Sequence, residues 1–227
     1  MKKLFLVFCF FLVVLGHKRS RQIKKFVEFD SSQSAWSSSW SSEEDRRPRK
    51  PQKPKGPRCD AGWLQFERPN GVWCILIGNP NVLNGWYSQQ DAQNACTSLG
   101  AILTGFQNNN ERMTVAQKAL EMTTGAGRTV AGLWLGAISA SGSSQWTDGQ
   151  TTGIEGFKWG VGEPDSNNWP ANPACIQQFI ISPNFVAGAE DFASWKTYFA
   201  NGDLDRYQCG SQAYPRMRLY ACGKKGV

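Results

Sequence analysis

The residues best placed to do chemistry stand at the end of a glycine-spaced run, Trp159-Gly-Val-Gly-Glu-Pro-Asp165. Glu163 and Asp165 are two residues apart on what reads as a loop. Carboxylates that close suit shared coordination of one ligand or ion. A general acid and base acting on one glycosidic bond stand about 5–9.5 Å apart. Other catalytic arrangements are short of parts. The single histidine, His17, lies near the amino terminus, so the rest of the chain cannot assemble a Ser-His-Asp or Cys-His constellation. No glycine loop of the phosphate-binding kind is present, and no Asn-x-Ser/Thr sequon occurs. The expectation is a binding protein and not an enzyme.

The amino terminus and the cysteines together suggest an oxidising compartment. Basic Met1-Lys-Lys3 precedes an unbroken apolar run from Leu4 to Leu15, and Val14-Leu-Gly16 offers a cleavage site. A bilayer span needs about 20 apolar residues, so the run reads as a signal peptide over 1–16 and not as a transmembrane anchor. Cys9 would leave with it. Cys59, Cys74, Cys96, Cys175, Cys209 and Cys222 remain. Six cysteines in a secreted chain read as a disulfide framework, for which sequence alone leaves about 15 connectivities open. Zinc is disfavoured, since no Cys-x-x-Cys pair exists and His17 stands at the signal boundary.

The net charge of +7 is unevenly placed. Residues 17–58 hold 12 Lys/Arg against 5 Asp/Glu, whereas 59–227 hold 11 against 13. A nucleic-acid-binding domain would concentrate cations on its folded surface, and this one does not. Residues 17–58 are serine-rich from Ser31 to Ser42, then basic and proline-rich up to Pro57. That composition buries too little apolar surface to offset the entropy of ordering, so a disordered linker is expected there.

The elements that must position the loop begin at Cys59. Trp63-Leu-Gln-Phe66 and Trp73-Cys-Ile-Leu-Ile77 flank the turn Arg68-Pro-Asn-Gly71 and predict a β-hairpin. Ser88 is placed to cap a helix running to Leu99, with Gly100 ending it. Asn108 and Glu111 have capping-box spacing for a second helix reaching about Met122. Short strands follow at Leu133-Trp-Leu135, Gln145-Trp146, Cys175–Ile181 and Arg218–Cys222. Two helices with short antiparallel strands and long loops predict an α+β domain over 59–227. The aromatic stretch Ser182–Ala200, with Phe185, Phe192, Trp195, Tyr198 and Phe199, is expected mainly to pack, with any exposed share forming a binding surface.

Leu133-Trp-Leu-Gly136, Gln145-Trp-Thr-Asp-Gly149, the Glu163-Pro164-Asp165 triplet and the order of the cysteines resemble the signature of C-type lectin-like domains. The resemblance covers Cys59 to about Lys224 and implies that fold. It implies bridges Cys59–Cys74 in an amino-terminal hairpin, Cys96–Cys222 from the first long helix to the last strand, and Cys175–Cys209. Trp134, Trp146 and Trp159 then belong to the scaffold. It also implies a calcium-and-sugar site, with Glu163, Asp165 and Asp205 as metal ligands and Asn167 and Asn168 as further ligand-binding residues. Asp203 is another oxygen donor nearby.

Two departures weaken that site. Asn172-Pro-Ala174 precedes Cys175 where the family has a carboxylate, and Leu204-Asp205-Arg206 replaces its Trp-Asn-Asp triplet. At the last place Arg206 puts a fixed positive charge where a metal ligand belongs. A one-residue bulge would instead bring Asp205 into that place and turn Arg206 outward. The resemblance therefore implies a secreted, extracellular recognition module with glycans as the leading ligands and calcium as a doubtful cofactor, with a role in defence against microbes as one setting. A calcium-independent module that binds extracellular or cell-surface proteins is the alternative. An effector acting on membranes through the basic linker is a third.

Overall fold

A computed structural model describes residues 56–82, 85–165, 173–187 and 192–227. The expected signal peptide, all of the expected linker before Gly56, and Asn167 and Asn168 fall outside these segments. None of the described helices is long and apolar enough to cross a membrane.

Strands β1 (Leu64–Arg68) and β2 (Gly71–Gly78) form the antiparallel hairpin, closing at Arg68↔Gly71. Gly71 has φ +102°, a conformation that side chains resist and glycine accepts. Helix α1 (Gln89–Ser98) starts at a reciprocal capping box. The Ser88 hydroxyl accepts from the Asp91 amide, and the Asp91 carboxylate accepts from the Ser88 amide. Leu99 caps its far end, and Gly100, at φ +64°, lets the chain turn away.

After β3 (Ile102–Leu103) comes α2 (Asn109–Gly125), longer than its apolar pattern suggests. Its last turn carries Thr123 and Thr124, whose hydroxyls donate to the carbonyls of Ala119 and Leu120. Only half of the second capping box forms. Asn108 accepts from the Glu111 amide, while the Glu111 carboxylate accepts from the Gln107 amide and from the buried guanidinium of Arg68.

The remaining elements are β4 (Val130–Ala140), β5 (Ser143–Trp146), β6 (Ala174–Ile181), α3 (Trp195–Tyr198), β7 (Leu204–Tyr207) and β8 (Arg218–Lys225). The sheet runs β1-β2-β8-β4-β6-β7, with β3 on β8 and β5 on β4. Strands β3 and β7 were not expected, and two further details depart from the sequence reading. β4 and β8 pair in parallel within an otherwise antiparallel sheet, and α3 is a third, one-turn helix.

Every residue of β6 is buried, as are nine of the first ten positions of β4. Alternation explains it: neighbouring side chains point to opposite faces, so a strand buried throughout must be covered on both. Leu133 and Leu135 enter a core with Val115, Ala116 and Ala119 of α2. Trp134, between them, enters another with Ala92 and Cys96 of α1. Trp146 and Trp159 are half-buried against the first core, with the Phe157 ring stacked between them at 3.9 and 5.7 Å.

Three disulfides tie the layers. Cys59–Cys74 staples the hairpin, Cys96–Cys222 joins α1 to β8, and Cys175–Cys209 joins β6 to the segment after β7. The Cys96–Cys222 bridge closes a loop with a sequence separation of 126 residues.

Candidate functional site

β7 lies beside β6 with uninterrupted register, Ile176↔Arg206 and Gln177↔Asp205. The bulge that would turn Arg206 outward is therefore absent. Arg206 is only 6% exposed, and its Nη1 donates to the Asp165 carbonyl at 3.0 Å. Its backbone amide donates to Glu163 Oε2 at 3.1 Å, an oxygen that also accepts from the Asp165 amide at 3.0 Å. Glu163 thus fastens its own loop to the edge strand, and Arg206 fastens the same loop two residues further on.

Asp205 points to the other side of β7. Its Oδ2 accepts from Gln177 Nε2 at 2.7 Å. The Gln177 carbonyl oxygen accepts in turn from Arg218, so that one amide links a buried carboxyl to a buried guanidinium. Arg218 lies 5.0 Å from the Trp134 ring and 5.1 Å from the Tyr207 ring, within cation–π range of both. Its other nitrogen and the Tyr207 hydroxyl both donate to the Tyr214 carbonyl, which sets the position of Tyr214. Gly132 makes room for this relay, since a Cβ there would come within 2.2 Å of Gln177 Oε1.

Glu163, Asp165 and Asp205 line one cavity of about 810 Å³. That is within the range that small-molecule sites occupy. Trp195, Tyr198, Phe199 and Phe192 from the aromatic stretch contribute to its lining, together with Trp86, Tyr207 and Tyr214. The aromatic stretch divides by role. Phe185 is buried with Val130, Phe179 and Ile181, and Phe199 stacks on Phe179 at 4.2 Å. Phe192 and Tyr198 remain 55% and 47% exposed, and Trp86 is 60% exposed. Of the other oxygen donors, Asp203 is turned to the Ala200 amide and the ammonium of Lys158.

Burial shifts both inner acids. Desolvation raises Glu163 above its ordinary value; the amide donors of Asp165 and Arg206 lower it, and the Asp165 charge raises it. Asp205 is raised much further. Full burial is the main cause and the Glu163 charge adds to it, while the Gln177 amide and Arg218 oppose. A carboxyl with a raised folded-state pKa keeps its proton after the unfolded chain has lost its own. The folded state then binds more protons, and stability falls as pH rises from the ordinary range near 3.8 through the raised value. Asp205→Asn keeps the acceptor for Gln177 and removes the ionisation. It should flatten the decline in melting temperature as pH rises above the ordinary carboxyl range, as thermal melts of both proteins across a pH series will show. Parallel curves for the two would mean that Asp205 does not set the slope.

Sequence reasoning did not find Arg218, Gln177, Tyr214 or Trp86. One signal for Arg218 was available, an arginine inside the apolar run Met217-Arg-Leu-Tyr-Ala-Cys222. Among the described residues no cluster of three His, Cys, Asp or Glu side chains has the geometry to hold a metal ion.

No protein-family model and no curated protein sequence matches this chain. Solved structures do. The C-type carbohydrate-recognition domain of cow CD23, determined in the presence of an oligosaccharide, is 16% identical over 75% of this chain and 98% of its own, with a TM-score of 0.49. The C-type lectin domain of murine dendritic cell inhibitory receptor 2, in complex with an N-glycan, is 16% identical over 74% and 99%, at 0.47. A calcium-independent type II antifreeze protein is 15% identical over 77% and 100%, at 0.46. Likenesses of this order say nothing of this chain's ligand. With a stapled hairpin, a bridge from first helix to last strand and a bridge from the central strand, the domain has a C-type lectin-like fold.

Proposed function

We propose that this chain is an extracellular carbohydrate-binding module that works without calcium. The observation that carries the reading is the 810 Å³ cavity, where exposed aromatic rings stand beside three carboxyl groups. Sugars present apolar ring faces that stack on such aromatics and hydroxyls that donate to such oxygens. Arg206 supports calcium independence, because its guanidinium is held at the Asp165 carbonyl, beside the loop that would have to close on an ion. Three disulfides support export to an oxidising compartment. In this reading residues 1–16 are the signal peptide, 17–58 a linker and 59–227 the binding domain.

A glycan array probed with the secreted protein, once with calcium and once with a chelator, tests the proposal. The expected result is the same set of retained glycans in both. Tyr198→Ala should weaken retention at least tenfold, about 1.4 kcal/mol. Binding lost on chelation would restore a calcium-dependent lectin. An empty array alongside capture of an extracellular protein would replace sugar recognition with protein recognition.

A further inference from the structure

The aromatic rings of this domain differ in whether they already have a cation. Trp73 has Arg68 at 5.0 Å, Trp63 has Lys224 at 4.4 Å, and Trp134 and Tyr207 share Arg218. Tyr214, on the cavity, has Arg216 at 5.8 Å. Trp86, Phe192, Trp195 and Tyr198 also line the cavity, and among the described residues none of these four rings has a cation over it.

The carboxyl groups are similarly placed. Among the described residues no lysine or arginine lines the cavity, whereas Glu163, Asp165 and the 5%-exposed Asp205 do. Two guanidinium groups stand behind these acids. Arg206 is turned to the Asp165 carbonyl, and Arg218 is held by Gln177, the Tyr214 carbonyl and two rings. The accessible wall therefore combines the carboxyl groups of Glu163 and Asp165 with electron-rich ring faces.

Resting on the reading of this cavity as the ligand site, we propose that it selects a ligand carrying an alkylammonium group. Ring faces attract such a cation through the aromatic quadrupole, most strongly when it is desolvated. A carboxylate supplies the opposing charge, and the attraction grows as water leaves. A bare divalent ion gains little from the rings and retains its water, whereas an organic ammonium has apolar carbons to lay against them. Two sources present this chemistry, the free amine of a hexosamine and a choline-type quaternary ammonium.

Titration calorimetry on the secreted full chain in chelator-containing buffer, with glucosamine, N-acetylglucosamine and choline as probes, tests the selection. Glucosamine or choline should bind at least tenfold more tightly than N-acetylglucosamine, and less tightly as salt rises. Glu163→Gln and Asp165→Asn, both at half-exposed positions, should each weaken the cationic probe at least fivefold. Glucosamine alone would assign the source to an amino sugar. Choline binding without glucosamine binding would keep the ammonium selection and remove the carbohydrate reading. Equal affinity for glucosamine and N-acetylglucosamine would overturn the selection and leave that reading intact. If no probe binds a protein that melts cooperatively, both are wrong.

Discussion

Exchanging Arg206 for aspartate should raise calcium affinity at least tenfold. The natural side chain donates to the Asp165 carbonyl at 3.0 Å, and its backbone amide anchors Glu163. Arg206→Asp keeps the backbone bond, releases that carbonyl as a possible ligand and adds a carboxylate near Glu163 and Asp165. One unit-charge pair at about 4 Å is worth about 4 kcal/mol at an effective dielectric of about 20. The exchange reverses the sign of a charge facing a divalent ion, so even strong screening leaves more than the 1.4 kcal/mol or so of a tenfold change. Calorimetric titration with calcium measures it directly. The natural domain should show little calcium-dependent rise in melting temperature, since only a bound ion stabilises by mass action. Micromolar calcium binding by the natural protein would falsify the role assigned to Arg206.

The second large effect belongs to the scaffold. Arg68 Nε and Nη2 donate to the two oxygens of Glu111 at 2.8 and 2.6 Å, with both side chains almost wholly removed from water. Nη2 also donates to the Gly105 carbonyl and Nη1 to the Thr151 hydroxyl, so the guanidinium joins β1, α2 and the loop after β5. Truncation to Arg68→Ala would leave the Glu111 carboxylate buried with only the Gln107 amide donating to it. Breaking a buried pair in this way costs about 3–5 kcal/mol. Combining Arg68→Met with Glu111→Gln removes both charges and should recover much of that loss. Urea unfolding of the variants decides. A double variant no more stable than Arg68→Ala would mean that hydrogen bonding, and not the stranded charge, sets the cost.

Local signals were legible where a single turn or cap decided the structure. Arg68-Pro-Asn-Gly71 marked the hairpin, Ser88 and Asn108 marked the helix starts, and the glycine-spaced tryptophans marked the core strands. Long-range choices were not legible. Capping-box spacing assigns Glu111 a bond three residues back, but its carboxylate takes a partner 43 residues away, because a buried guanidinium offers two charge-assisted bonds. β7 escaped notice because Leu-Asp-Arg-Tyr lacks apolar alternation, and its pairing with β6 supplies what propensity does not. Glu163 and Asp165 were evident as a pair. Their companions in the cavity, Trp86 and Tyr214, reach it from other parts of the chain, and nothing in the local pattern announces that convergence.

The bridge between Cys96 and Cys222 also decides how the domain carries mechanical load. A pull applied at Arg58 and Val227, whose backbones are hydrogen-bonded to each other at 2.7 and 3.0 Å, first separates that short ladder. Tension then follows covalent bonds, passing from Cys59 to Cys74 and from Cys96 to Cys222 through sulfur. Only the stretch 75–95 can be drawn out between the bridges, at about 3.3–3.6 Å per residue. Residues 97–221 hang on a closed side loop that the force bypasses. Of the described side chains that line the cavity, Trp86 alone lies on the loaded path. Glu163, Asp165 and Asp205 therefore sit on a segment that carries no direct tension when the domain is stretched from both ends.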